Sequence, residues 1–221
     1  MGNCTKRPFC PVPGPPGREG QALLPSKEEI RSAHRTERAA ASPAGLESAG
    51  EGIARHGLQW AATVSAGRRS TFAAYLGVGF EPPTMQLIRA LHAAGHRVLL
   101  PVCRPALTLN WVYWTPATEF VRSSYAPIEE PVGDQHGAEV MRGVAGIFVP
   151  ATAVDLTGNR IGQGGGYYDK FLAGLDAEGL PVPSVAVVYD REVLAAGSIP
   201  AESFDRKIPA AVTPSRLTQL M

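Results

Sequence analysis

The chain has 221 residues, 44% of them hydrophobic, and its 21 basic and 20 acidic side chains leave a formal net charge of +1. That is enough apolar material for one buried core plus a tail, and the near-neutral balance, with no long run of one sign, argues against nucleic-acid or membrane partners. No stretch approaches the roughly 20 apolar residues of a membrane span, and the start lacks the apolar core of a secretory signal. The expectation is a cytoplasmic protein. Cys4, Cys10 and Cys103 have no metal-ligand spacing and suit reduced thiols.

Residues 1–25 carry Pro8, Pro11, Pro13, Pro15, Pro16 and Pro25 and little apolar content, which predicts a disordered tail ahead of an α/β domain over 26–221. Ser26, followed by Glu28 and Glu29, is the N-cap of a helix running to about Ala41, before Pro43. A second helix over roughly 46–60 is weakened by Gly50, Gly52 and Gly57. Thr71–Leu76 reads as a buried strand, Thr84–Ala94 as a helix ended by Gly95, and Arg97–Val102 as the next strand. A short strand at Leu109–Trp114 follows, then an apolar run at Val144–Val149, a helix from Tyr167 to about Leu175 and a strand at Val182–Tyr189. This alternation predicts a single three-layer α/β/α domain, Rossmann-like, with a mostly parallel sheet. In such sheets ligands lie beyond the carboxyl ends of strands, here the loops after Leu76, Pro101, Val149 and Tyr189.

The most informative segment is Gly162-Gln163-Gly164-Gly165-Gly166-Tyr167-Tyr168-Asp169. Without Cβ atoms its backbone N–H groups can converge on one anion, with the positive end of the following helix behind them. It is not a Walker A loop, since no Gly-Lys pair occurs, and it is not a dinucleotide fingerprint, since Tyr167 replaces the third glycine. The two tyrosines offer a stacking surface, and Asp169 a carboxylate for a phosphate-bound Mg²⁺. The plainer reading is a glycine turn capping a helix whose Tyr167, Tyr168, Phe171 and Leu172 enter the core. On these residues alone both readings stand. His92 and His96 are spaced like a zinc pair, but Gly95 falls between them and no third ligand stands out, so they read as a surface pair. Trp111, Tyr113 and Trp114 suit a core strand better than a stacking wall.

Further motifs follow one another along the chain: Lys27-Glu28-Glu29-Ile30-Arg31; Tyr75-Leu76 with Glu81 and Thr84; Gly95 to Val98-Leu99-Leu100-Pro101; Glu130-Pro131; Phe148-Val149-Pro150 with Asp155; Asn159-Arg160-Ile161 leading into the glycine loop; and Glu202 to Asp205 before Val212-Thr213. In this order, over about residues 26–217, they resemble the 5-formyltetrahydrofolate cyclo-ligase family, also called 5,10-methenyltetrahydrofolate synthetase. The resemblance implies ATP- and Mg²⁺-dependent closure of 5-formyltetrahydrofolate, with or without a polyglutamate tail, to 5,10-methenyltetrahydrofolate. ADP and phosphate are released after the formyl oxygen is phosphorylated, and a monomer or homodimer does the work. No protein nucleophile is implied. The ATP-binding positions it implies are Lys27, Arg31, Arg160, Gly162, Gln163, Gly164, Gly165, Gly166, Tyr167 and Tyr168. Substrate would meet Leu76, Glu81, Gln163 and Tyr167, and Mg²⁺ would meet Asp169 and Asp205. Without the resemblance, Lys27 and Arg31 read as a solvated helix face, Glu81 as a loop acid and Asp205 as a turn former.

Two departures bear on activity. The family usually carries Arg, and often Lys two residues later, where this chain has Gln163 and Gly165, and its Glu-x-His-Asp pattern reads Glu202-Ser203-Phe204-Asp205. One charge-assisted bond to phosphate is worth roughly 1.5–3 kcal/mol, so the expectation is a weaker hold on ATP unless Arg191 or Arg206 compensates. The alternative is a catalytically weakened folate- or nucleotide-binding paralogue on the same scaffold.

Overall fold

In a computed structural model that describes Met1, residues 24–201 and residues 206–221, the helices are α1 (Lys27–Ala39), α2 (Pro43–Val64), α3 (Met85–Ala93) and α4 (Tyr167–Ala177). The described strands begin with β1 (Thr71–Ala73), β2 (Arg97–Arg104), β3 (Thr108–Trp114), β4 (Phe120–Arg122), β5 (Glu129–Pro131), β6 (Gln135–His136) and β7 (Val144–Pro150). They continue with β8 (Ala153–Asp155), β9 (Arg160–Ile161), β10 (Ser184–Val187), β11 (Val193–Leu194), β12 (Ala210–Val212) and β13 (Leu217–Gln219). Eight form one sheet in the order β13-β12-β10-β7-β1-β2-β3-β6. Its centre, from β12 to β2, is parallel, and β13, β3 and β6 extend it antiparallel. The strand expected at Leu109–Trp114 is therefore present but runs back along β2, because the link Pro105–Leu107 is too short for a parallel crossover.

Alternate side chains of the central strands supply two cores. Ala73, Leu99, Ile147, Val149, Ala186 and Ala211 pack with Phe171, Leu172 and Leu175 of α4. Phe72, Val98, Leu100, Phe148, Val185 and Val187 pack with Ile53 and Trp60 of α2 and Leu87, Ile88 and Leu91 of α3. Both faces are covered, which is why these strands read as continuous apolar runs. Trp111 and Trp114 are buried core residues, Trp111 with its ring centroid 5.1 Å from that of Phe171. His92 packs edge-on against Trp114, and His96 Nδ1 accepts the Ser70 amide at 3.2 Å. No described helix is long and apolar enough to cross a membrane.

The first helix starts where its cap predicts. Ser26 Oγ accepts the Glu29 amide at 3.2 Å, and Glu29 Oε2 accepts the Ser26 amide at 2.7 Å, a reciprocal capping box. Ser42 and Pro43 then start α2, which is longer than its glycines suggest. A Cβ on Gly52 would lie 2.1 Å from the Pro214 carbonyl oxygen, and one on Gly57 2.5 Å from Leu87 Cδ1. Those glycines are a packing notch, and close approach offsets their helical cost of about 1 kcal/mol each. The predicted tail falls on residues of which only Met1, Leu24 and Pro25 are described.

Gly52→Ala is expected to destabilise the protein by about 1–3 kcal/mol through overpacking. Gly174→Ala, in α4 with no atom within 4 Å of its added Cβ, is expected to stabilise it by about 0.5–1 kcal/mol. Urea unfolding reads both, and effects of the same sign would show that the notch is not a packing constraint.

Candidate active site

Strand order reverses between β1 and β7: β1 leads to β2 on one side, and β7 to β10 and β12 on the other. Ligands collect at such switch points, beyond the carboxyl ends of the strands. A cavity of about 700 Å³ lies there. Its wall takes Tyr75, Leu76 and Glu81 from the segment after β1, Pro150 from the end of β7, Cys103 from β2, and Arg160 with Gly162–Asp169 from β9 onward.

The glycine loop is set by the hairpin before it. In the turn between β8 and β9, Asp155 accepts hydrogen bonds from the Thr157 amide at 3.0 Å, Thr157 Oγ1 at 2.7 Å, the Asn159 amide at 3.0 Å and Asn159 Nδ2 at 2.9 Å. Burial opposes ionisation of that carboxyl, but these donors outweigh it and hold its pKa below the ordinary range. The next residue, Arg160, is buried, donates to the Pro150 carbonyl at 3.1 Å, and pairs with Asp169 in the first turn of α4. Gly164 and Gly166 have φ of 97° and 75°, a region other residues rarely adopt. Gly166 is the N-cap of α4 and has no side chain to satisfy the first-turn N–H groups, so these remain available to an anion.

Arg31 Nε donates to the Gly162 carbonyl at 2.9 Å, so α1 braces the loop. Lys27, one turn earlier, is not on the cavity wall, whereas Arg35 and Arg38 further along α1 are. Arg38 is buried and makes a forked pair with Glu192 at 2.7 and 2.9 Å while donating to the Ala151 carbonyl at 2.8 Å. Arg35 pairs with Glu28, an exposed partner. The two expected compensating cations are elsewhere: Arg191 pairs with Glu37 at 3.0 Å and Arg206 with Asp176 at 3.3 Å, neither on the wall. Asp205 lies outside the described residues.

The opposite wall carries the acid. Glu81 Oε2 accepts the Val78 amide at 3.0 Å, and Oε1 accepts Gln163 Nε2 at 2.9 Å. Thr84 Oγ1 holds the loop by donating to the Tyr75 carbonyl and accepting the Gly77 amide at 2.9 Å. Burial raises the Glu81 pKa, against the hydrogen bond from Val78 and the charge of Arg38. The Tyr75 and Tyr168 hydroxyls are buried without a hydrogen-bond partner. Burial, with Glu130 beside it, pushes the Cys103 thiol up to about 12, so it is no nucleophile. Among the described residues no group of three or more His, Cys, Asp or Glu side chains is placed to hold a metal ion.

The model of the 5-formyltetrahydrofolate cyclo-ligase family matches residues 24–214. The chain belongs to the 5-formyltetrahydrofolate cyclo-ligase family. Its enzyme class is therefore ligase. The cyclo-ligase of Mycolicibacterium smegmatis is 38% identical over 151 residues, covering 66% of this chain and 74% of that protein. That of Escherichia coli is 32% identical over 149 residues, covering 66% and 79%. The solved structure of Aquifex aeolicus 5,10-methenyltetrahydrofolate synthetase shares the fold, with a TM-score of 0.66 at 23% identity over 88% of this chain and 92% of that one.

In this cyclo-ligase one cavity thus gathers Leu76, Glu81, Arg160, Gly162, Gln163, Gly164, Gly165, Gly166, Tyr167, Tyr168 and Asp169. Sequence reasoning missed Arg35 and Arg38. Their spacing from Arg31, four and seven residues on, marks one helix face, but only the packing shows that this face turns toward the loop. It also missed the rim of Phe80, Leu107 and Tyr125, each about half exposed at 49%, 43% and 49%.

Because burial raises its pKa, a charged Glu81 weakens the fold: that contribution favours the folded state below the ordinary glutamate value of 4.5 and is lost as pH rises through the raised folded value. Glu81→Gln is therefore expected to melt higher than wild type at neutral pH, with the difference shrinking as the buffer is acidified. Melting curves in a pH series check this, and a gap that widens on acidification would contradict it.

Proposed function

We propose that the protein converts 5-formyltetrahydrofolate to 5,10-methenyltetrahydrofolate at the expense of Mg·ATP. The observation that carries the reading is the meeting, in one cavity, of a glycine loop at a helix N-terminus with the half-buried Glu81 carboxylate, 82 residues away in sequence from Gln163. The first suits a polyphosphate and the second suits the N–H edge of a pterin. A volume of about 700 Å³ also falls in the usual range for a pocket holding a drug-sized ligand.

The chemistry asks little covalent work of the protein. A formamide oxygen is a poor leaving group, so it accepts a phosphoryl group, N10 attacks the activated formyl carbon, and phosphate departs with that oxygen. The residues hold two ligands in line and meet charge on the transferring oxygens. Glu81 orients the pterin through its paired N–H groups. Phe80, Leu107 and Tyr125 line the mouth and limit water. The loop amides of Gly164–Tyr167 face the phosphates, and Arg35 supplies the cation that position 163 lacks, exchanging exposed Glu28 for phosphate.

Mg²⁺ fits only as an ion carried by the phosphates. It usually keeps several waters and takes one or two protein carboxylates, and Asp169 is the described carboxylate on the loop's side of the wall. Bound there, the ion would neutralise phosphate charge. Arg160, already paired to Asp169, keeps that carboxylate oriented.

Purified protein given 5-formyltetrahydrofolate and Mg·ATP is expected to generate the methenyl absorbance with stoichiometric ADP. Arg35→Ala should raise the ATP KM roughly 10- to 100-fold and leave the folate KM near wild type, since one charge-assisted bond is lost. Tight folate and ATP binding without product would instead identify a weakened binding paralogue. ATP consumption with no methenyl product would point to another substrate.

A further inference from the structure

The side chain that meets Glu81 comes from across the cavity. Gln163 belongs to the glycine loop, yet its Nε2 donates to Glu81 Oε1 at 2.9 Å, while Oε2 takes the Val78 amide at 3.0 Å. The surrounding main chain is pinned by the Tyr189 hydroxyl, which lies 3.4 and 3.3 Å from the Phe80 and Glu81 carbonyl oxygens. A carboxylate offers about four acceptor positions. Two are filled by these donors, so one remains on each oxygen for a pair of N–H groups on a single ligand edge.

We propose that Gln163 is a positioning residue for the folate, aiming Glu81 at the pterin N–H edge while leaving its charge unneutralised. This rests on the reading of Glu81 as the pterin acceptor. Of the two expectations for position 163, ATP and substrate, it takes the second and routes it through Glu81: the amide that would reach for phosphate is engaged with the Glu81 carboxylate.

The charge balance around Glu81 gives position 163 its leverage. Facing it are Arg38 of α1, Glu192 of the turn before β11, Tyr189 beside that turn, Tyr75 after β1 and Tyr168 of α4. Arg38 is already matched by Glu192 through two hydrogen bonds, and the tyrosines bring no positive charge. Burial raises the Glu81 pKa, and the Gln163 bond is among the effects that lower it. A guanidinium at 163 would lower it further. A side chain with no donor there would let it rise.

The experiment is a calorimetric titration of 5-formyltetrahydrofolate, without nucleotide, into wild type, Gln163→Arg, Gln163→Met and Glu81→Gln across the acid-to-neutral range. Gln163 is exposed, so its variants should fold as wild type does, with melting points moved only as far as the Glu81 pKa moves. Folate affinity is expected to fall as Glu81 takes up a proton, with that acid limb moved to lower pH in Gln163→Arg and to higher pH in Gln163→Met. At neutral pH Gln163→Met should bind folate about 3- to 10-fold more weakly, the worth of one hydrogen bond, with ATP affinity unchanged. An acid limb common to wild type and both Gln163 variants, or a loss confined to ATP, overturns the proposal while Glu81 keeps its role. Wild-type affinity and an unaltered limb in Glu81→Gln overturn the reading of Glu81, and the proposal with it.

Discussion

The site depends on one buried guanidinium. Arg160 has 4% of its side chain exposed, yet it spans three elements: it leaves β9, donates to the carbonyl that ends β7, and pairs with Asp169 in the first turn of α4. Both ends of the glycine loop are thereby fixed, one by the strand that carries Arg160 and one by the helix that carries Asp169. The loop can then be almost all glycine without being undefined, because its freedom is spent between two anchors. Removing either charge would leave the other poorly matched, and a buried unpaired guanidinium is the costlier loss.

Around that anchor the polar groups divide by depth. Arg38 and Glu192 satisfy each other in the interior and tie α1 to the segment before β11. The Asp155 network holds the β-hairpin that delivers Arg160. Both are structural, and both sit beside residues left with unmet demand: a carboxylate with spare acceptor positions, two tyrosine hydroxyls without partners, and a helix start without a cap. Ligand recognition falls to groups that folding did not satisfy.

Much of this was legible in the residues, for identifiable reasons. Burial on both faces of the sheet makes Phe72, Ala73 and Ala74, and Val98, Leu99 and Leu100, continuous apolar runs, so the central strands could be read directly. Ser26 with Glu29, and Gly95 with φ of 86°, mark helix ends by local chemistry that needs no tertiary context. The glycine loop was visible because Gly164 and Gly166 require a conformation that little else tolerates. What stayed hidden depends on packing. Helix α2 looked weak because Gly52 and Gly57 lower its propensity, and only the close approach of Pro214 and Leu87 explains them. That Arg35 and Arg38 rather than Lys27 line the cavity depends on how α1 lies across the loop. The Gln163–Glu81 contact joins segments that no local pattern connects.

Cys103 has a consequence for how motion in this molecule could be watched. Its sulfur sits on the cavity wall but is sheltered and stays protonated through neutral pH. A thiolate-seeking reagent would therefore spare it in the folded protein and capture it once unfolding exposes the sulfur. In that sense the side chain is a built-in gauge of unfolding beside the pocket.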